Sequence, residues 1–148
     1  MGAARVKLDL VKIVGVSAAG KSTLVAGLRR LGYNARPVAQ EHSQVPDMWQ
    51  RIRPPNWLIF LDADLAAQGE RRPDVSWDEP WRLTELERLA HARIHANLVI
   101  DTSLLSPGKV LQQAVDFLRV SSVEAAPGPL AELPRTGSVW HQDCRRDL

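Results

Sequence analysis

The chain has 148 residues, 45% of them hydrophobic and 24% charged, the balance of one ordinary folded domain and not of a disordered segment. No apolar run approaches the roughly 20 residues that cross a bilayer, and a single cysteine, Cys144, excludes a disulfide framework and a cysteine-based zinc site. Nineteen Lys and Arg against seventeen Asp and Glu leave a formal charge of +2, too small to name a partner despite a pI near 9.0.

Residues 1–10 mix charges with apolar residues and lack the apolar h-region of a secretory signal, so cytoplasm is the expected location. Residues 11–16 (VKIVGV) are an apolar, β-branched run and predict a first strand. A glycine-bearing loop follows, then a helix over 21–31 closed by Gly32 at its C′ position. Residues 35–41 predict a second strand, with Pro37 near its start, and 46–52 a short helix before the breaker Arg53-Pro54-Pro55. Residues 57–62 (WLIFLD) predict the third strand.

Asp64 is placed to cap a helix over 65–72. Ser76-Trp77-Asp78-Glu79 has the spacing of a capping box and predicts a long helix to about Ala96. Residues 97–101 (NLVID) predict the fourth strand, and Ser106 followed by Pro107 opens a helix to about Val120. Strands alternating with helices imply right-handed βαβ units, hence an α/β fold with a mainly parallel sheet of about four to five strands covered on both faces. Residues 1–120 form the expected domain. Residues 121–148, rich in Pro, Gly and Ala, are expected to be an irregular C-terminal tail dispensable for folding. His141 and Cys144 within it have no partner that sequence can name.

The loop carries the chemistry. Gly15-Val-Ser-Ala-Ala-Gly20-Lys21-Ser22 is G-x4-G-K-S, the P-loop pattern, directly after an apolar strand and directly before a helix. A chance match somewhere in the chain is roughly 1% or less at average residue usage. Such glycines let consecutive N–H groups face one anion, and the helix start adds its positive end. The expected nucleotide-binding residues are therefore Gly15, Ser17, Ala18, Ala19, Gly20, Lys21, Ser22 and Thr23. Lys21 reaches the outer phosphates and the Ser22 hydroxyl meets Mg²⁺.

In an open parallel sheet ligands bind at the carboxyl ends of the strands. The other strands finish at Glu41, Asp62 and Asp101, which sets three acids on the rim of the loop. Glu41 and Asp62 are the candidates for Mg²⁺, and Glu41, with no helix to cap, is also the candidate base for an acceptor hydroxyl. Asp62, Asp64 and Asp101 have helix capping or loop contacts as their alternative role. Arg71 and Arg72 are placed to fold over the phosphates as a lid, against the alternative of a solvated helix end, and Arg82, Arg88 and Arg93 are weaker lid candidates. Glu87, His91 and His95 share one helix face without a fourth metal ligand. Trp49, Trp77 and Trp81 read as core before they read as a stacking pocket.

On these motifs the chain resembles the nucleoside/nucleotide kinase-like P-loop family over about residues 11–120. Leu61-Asp62-Ala63-Asp64 followed by Arg71-Arg72 is similar to the strand, helix and lid of those kinases, and residues 99–103 (VIDTS) to their last strand. Glu41 with the downstream Trp49 is loosely similar to the pair in deoxynucleoside kinases. The resemblance implies a three-layer α/β/α P-loop fold and an ATP- and Mg²⁺-dependent kinase that phosphorylates a small, nucleoside- or nucleotide-like acceptor. Those kinases usually have five strands and a longer acceptor-binding insertion than residues 41–55 provide, which leaves room for an acceptor site completed by another subunit. The alternative is a nucleotide-binding switch or slow NTPase acting on a partner. A nucleic-acid end kinase is a variant of the first reading, disfavoured by the lack of a basic stretch. No N-K-x-D guanine signature or ABC signature is present.

Overall fold

The computed structural model describes residues 7–134. Four strands, β1 (Leu10–Gly15), β2 (Asn34–Pro37), β3 (Trp57–Asp62) and β4 (Leu98–Asp101), form one all-parallel sheet in the order β2-β1-β3-β4. Helices α1 (Lys21–Arg30) and α4 (Pro107–Val120) pack on each other on one face, and α3 (Glu79–His95) packs on β1 and β3 from the other. The short α2 (Leu65–Arg71) leads from β3 toward α3. This is a three-layer α/β/α fold. Its core is the continuous apolar run of the central strands, with Ile13, Val14, Ile59 and Phe60 wholly inaccessible.

β1 is buried along its whole length, including Lys12, whose Nζ finds the Trp49 carbonyl at 2.7 Å. Burial, with Arg53 nearby, pulls the Lys12 amine below its ordinary value. Register is pinned at strand starts by asparagines. Asn56 Oδ1 accepts from Leu10 N and Asn97 Oδ1 from Leu58 N, each at 2.8 Å, standing in for the next ladder bond.

The helices end where their residues dictate. Asp64 caps α2 through Ala67 N, Ser106 caps α4 through Lys109 N, and Gly32 closes α1 with φ 93°. The cap of α3 is corrected from Ser76 to Asp78, which accepts from Trp81 N. Pro80 is the reason. A helix capped at Ser76 would need an N–H on residue 80 for its first i→i−4 bond, which proline lacks, whereas capping at Asp78 puts Pro80 in the first turn.

The second strand is also corrected. β2 ends at Pro37, and Glu41 lies one turn farther on, in a 3-10 turn spanning Gln40–His42. The buried Gln40 side chain organises this stretch: its Nε2 donates to Val45 O at 2.8 Å and Arg88 O at 3.2 Å, and its Oε1 accepts from Trp49 N at 2.8 Å. With the Trp49 N–H committed there, the helix expected over 46–52 shrinks to a 3-10 turn, Met48–Gln50.

Beyond α4 the chain has no helix or strand through residue 134, yet it is tied down. Ala126 N donates to Gly32 O at 2.8 Å, Leu130 N to Arg29 O at 2.9 Å, and Arg29 Nε to Ala131 O at 2.8 Å, while Val123 is buried in the core. The expectation of dispensability therefore gives way. Removing residues 121–148 is expected to cost about 3 kcal/mol in lost burial and hydrogen bonds. In a domain this size that is a fall of roughly 6–12 °C in melting temperature. Calorimetry of the shortened chain checks it, and an unchanged melting temperature would contradict it. His141 and Cys144 lie outside the described residues.

Candidate functional site

The loop between β1 and α1 sits at the carboxyl end of the sheet, between the ends of its two central strands. Gly15 pairs with Leu61 in the β1–β3 ladder, and Val16 N donates to Leu61 O at 3.2 Å. A Cβ on Gly15 would collide with that carbonyl, which belongs to the central ladder and cannot move. Gly15→Ala is accordingly expected to destabilise the fold by about 1–3 kcal/mol, measurable by denaturant titration. Gly20, the residue before α1, has φ 99°, a conformation that favours glycine, and no side chain caps the helix. The first N–H groups of α1 thus have no intrahelical partner and point past the exposed Ser22 and Thr23. Here an anion fits.

Lys21 folds back over the loop. Its Nζ donates to Gly15 O at 2.9 Å and to Val16 O at 3.3 Å, and it forms an ion pair with Glu41. Glu41 is buried, and its backbone carbonyl accepts from Arg88 Nη1 at 3.3 Å. Its Oε1 is buried with no partner among the described residues. An orphaned carboxylate oxygen beside a loop lysine suits a hard cation or a substrate hydroxyl. Of the residues expected at Mg²⁺, Ser22 is exposed at the start of α1 and Glu41 keeps one oxygen without a partner among the described residues.

Asp62 does not. Expected at the metal, it instead accepts from Arg93 at 3.2 Å, from Ala63 N at 2.8 Å and pairs with Arg82 at 3.5 Å, so both oxygens are committed. Asp101 accepts from the Ser103 hydroxyl at 2.6 Å and its N–H at 3.0 Å. Those bonds, the hydroxyl's first, hold its carboxyl below the usual range, with Arg82 and Arg71 adding to the effect.

The two arginines expected to act together diverge. Arg71 reaches the loop, its Nη1 donating to Ala18 O at 2.9 Å and to Thr102 Oγ1 at 3.0 Å, with Nη2 on Thr102 O. Arg72 pairs with the exposed Asp74 at 3.0 Å instead, which raises its already high pKa. Arg82 and Arg93 are spent on Asp62, and Arg88 lies 5.9 Å from the Trp81 ring. Trp49 is buried and donates to His91 Nδ1 at 3.0 Å, and His91 stacks on His95 at 4.3 Å. Trp77 donates to Arg72 O at 2.9 Å. Among the described residues no group of three or more His, Cys, Asp or Glu could hold a metal.

Beside the start of α1 lies a cavity of about 320 Å³ walled by Ala19, Leu24, Leu105, Pro107 and Val110, with Arg71 and Thr102 as its polar edge. It has the apolar walls and few polar groups of a site for a flat ring.

Three residues at the site were missed from sequence. Thr102 Oγ1 is 2.9 Å from Ala19 O and holds the loop to the end of β4. Gln68 and Glu85, both fully buried, hold Ser17: Gln68 Nε2 donates to Ser17 O at 2.8 Å, and Glu85 Oε2 accepts from Ser17 N at 3.2 Å and from the Ser17 hydroxyl. Glu85 did leave a signal. It stands four and seven residues before Leu89 and Ala92, so an acid occupies the apolar stripe of α3.

Fold and loop together define a three-layer α/β/α protein with a glycine-bearing loop between its first strand and first helix. A nucleotide-binding protein of Magnetococcus marinus is similar to this chain, 26% identical over 167 aligned positions that cover 77% of the chain and 54% of that protein. The chain thus spans about half the length of that relative. No family model matches it.

Proposed function

We propose that the chain binds ATP with Mg²⁺ through Gly15, Ser17, Ala18, Ala19, Gly20, Lys21, Ser22 and Thr23 and transfers the γ-phosphoryl group to the hydroxyl of a small acceptor. The observation that carries the reading is the meeting of Lys21 and Glu41 at the loop, with one Glu41 oxygen left without a partner. The nucleotide-binding relative supports the first half of it. The first N–H groups of α1 cradle the inner phosphates, Lys21 turns from Gly15 O and Val16 O onto the outer ones, and the base lies in the cavity beside Leu105 and Val110. Bound Mg²⁺, held by Ser22 and Glu41, would neutralise charge on the phosphate oxygens. Glu41 takes the acceptor's proton as its oxygen attacks the γ-phosphorus, and ADP departs with the electrons of the broken P–O bond. Arg71, already on the loop, stabilises charge on the transferring group.

A second reading, a nucleotide-dependent switch acting on a partner, is favoured by the bonds from α2 and α3 to Ser17 and Ala18, which connect the loop to elements outside it. One screen separates the two: ADP release from ATP across nucleosides, nucleotides, sugars and oligonucleotide ends. The kinase reading requires at least one acceptor that accelerates release many-fold. Slow hydrolysis indifferent to every small molecule points to the switch.

A further inference from the structure

The cations expected around the loop are accounted for with one exception. Arg82 and Arg93 hold Asp62, Arg72 holds Asp74, Lys21 holds Glu41, and Arg71 spans Ala18 and Thr102. Arg88 has no carboxylate within ion-pair distance among the described residues. Of the five N–H groups of its guanidinium one is used, by Nη1 toward Glu41 O at 3.3 Å. The side chain is half-buried, with its Cζ 5.9 Å from the centre of the Trp81 ring.

Its place is at the reacting end of the site. α3 sets Glu85 on Ser17 of the loop and Arg88, one turn on, against Glu41, so this stretch of the helix forms one wall. Gln40 Nε2 donates to Arg88 O at 3.2 Å, a second tie that fixes Arg88 relative to the Glu41 turn. Lys21 and Arg88 touch two ends of the same residue, Lys21 the Glu41 carboxylate and Arg88 the Glu41 backbone carbonyl. A hydroxyl at that carboxylate lies within the length of one glutamate of the guanidinium. ATP in the proposed mode engages Lys21 and Arg71 and leaves Arg88 over. A guanidinium partly removed from water, with N–H groups to spare, suits an oxyanion, which accepts two parallel bonds from it. The Trp81 ring supports its cation from another side.

We propose that Arg88 binds an oxyanion of the acceptor, a phosphate or a carboxylate. The acceptor is then a small hydroxyl compound whose charged group stands a few bonds from the reacting oxygen, and not an uncharged nucleoside or sugar. This rests on the phosphotransfer reading above. Its test is ADP release by the full chain with ATP and Mg²⁺, with acceptors offered in matched pairs: nucleosides and their 5′-monophosphates, ribose and ribose 5-phosphate, glycerol and glycerate. In at least one pair the charged member should accelerate release and its neutral partner should not. The first two pairs report a phosphate and the third a carboxylate. Arg88→Gln should then raise the KM of that acceptor roughly ten- to hundredfold, the weight of a charged hydrogen bond, with a smaller change in kcat. Arg88→Lys, which keeps the charge and loses the fork, should recover part of the loss. If Arg88→Gln does not fold, Trp81→Leu decides. Trp81 is 37% exposed, and losing its ring beside the guanidinium should raise the same KM about threefold, whereas an unchanged KM overturns the proposal. Neutral acceptors that work as well as charged ones also overturn it and leave the kinase reading standing. So does an Arg88→Gln that lowers kcat, or the affinity for a non-hydrolysable ATP analogue, and leaves the acceptor KM alone, for the arginine then braces the Glu41 turn or meets ATP. No acceleration by any acceptor overturns the kinase reading and this proposal with it.

Discussion

Lys21→Ala should abolish detectable nucleotide binding, a loss of at least a hundredfold in affinity, and should also destabilise the protein. The two effects have different origins. Binding is lost with the loop cation that, in the proposed mode, turns onto the outer phosphates. Stability is lost because Glu41 is left buried and without its partner, and breaking a buried ion pair from one side costs about 3–5 kcal/mol. The loop motif by itself gives no sign of the second effect, because the ion pair joins residues 20 positions apart. The double variant Lys21→Ala/Glu41→Gln separates the effects. Neutralising Glu41 removes the stranded charge, so the melting temperature should recover most of its loss while nucleotide binding stays absent. If the single variant binds ATP as well as the wild type does, the loop is not the nucleotide site.

Glu41→Gln by itself keeps the size of the side chain and one acceptor but removes the base. Loss of a general base typically lowers turnover by a factor of roughly 10²–10⁴, measurable as acceptor-dependent ADP release once an acceptor is in hand. Affinity for ATP measured without Mg²⁺ should change little, because in the proposed mode Glu41 meets the metal and the acceptor and not the phosphates. Asp62→Asn is the comparison. Its carboxylate is committed to Arg82, Arg93 and Ala63 N, so its neutralisation should act on stability more than on turnover. The reverse outcome, turnover lost in Asp62→Asn and kept in Glu41→Gln, would exchange the roles of the two acids.

Both predictions draw on facts that sequence and structure supplied unequally. The sequence by itself determined the elements that rest on local physics. Apolar runs at 57–62 and around 11–16 could only be buried strands. Asp64, Ser106 and Gly32 end helices through bonds spanning a few residues. The G-x4-G-K-S spacing between strand and helix is likewise local, as is the α/β alternation that makes the sheet parallel. Tertiary structure decided everything that depends on which distant groups meet. It placed Glu41 on Lys21, not at a strand end, because Gln40 ties its turn to Trp49 and to α3. It committed Asp62 to two arginines of α3, and it sent Arg71 to the loop while Arg72 found Asp74. It set Glu85 against Ser17, 68 residues away. Charged and polar side chains reach several ångströms in many directions, and burial makes each of them take a partner. Which partner it takes follows from the packing of whole helices on the sheet, and no local pattern of residues encodes that.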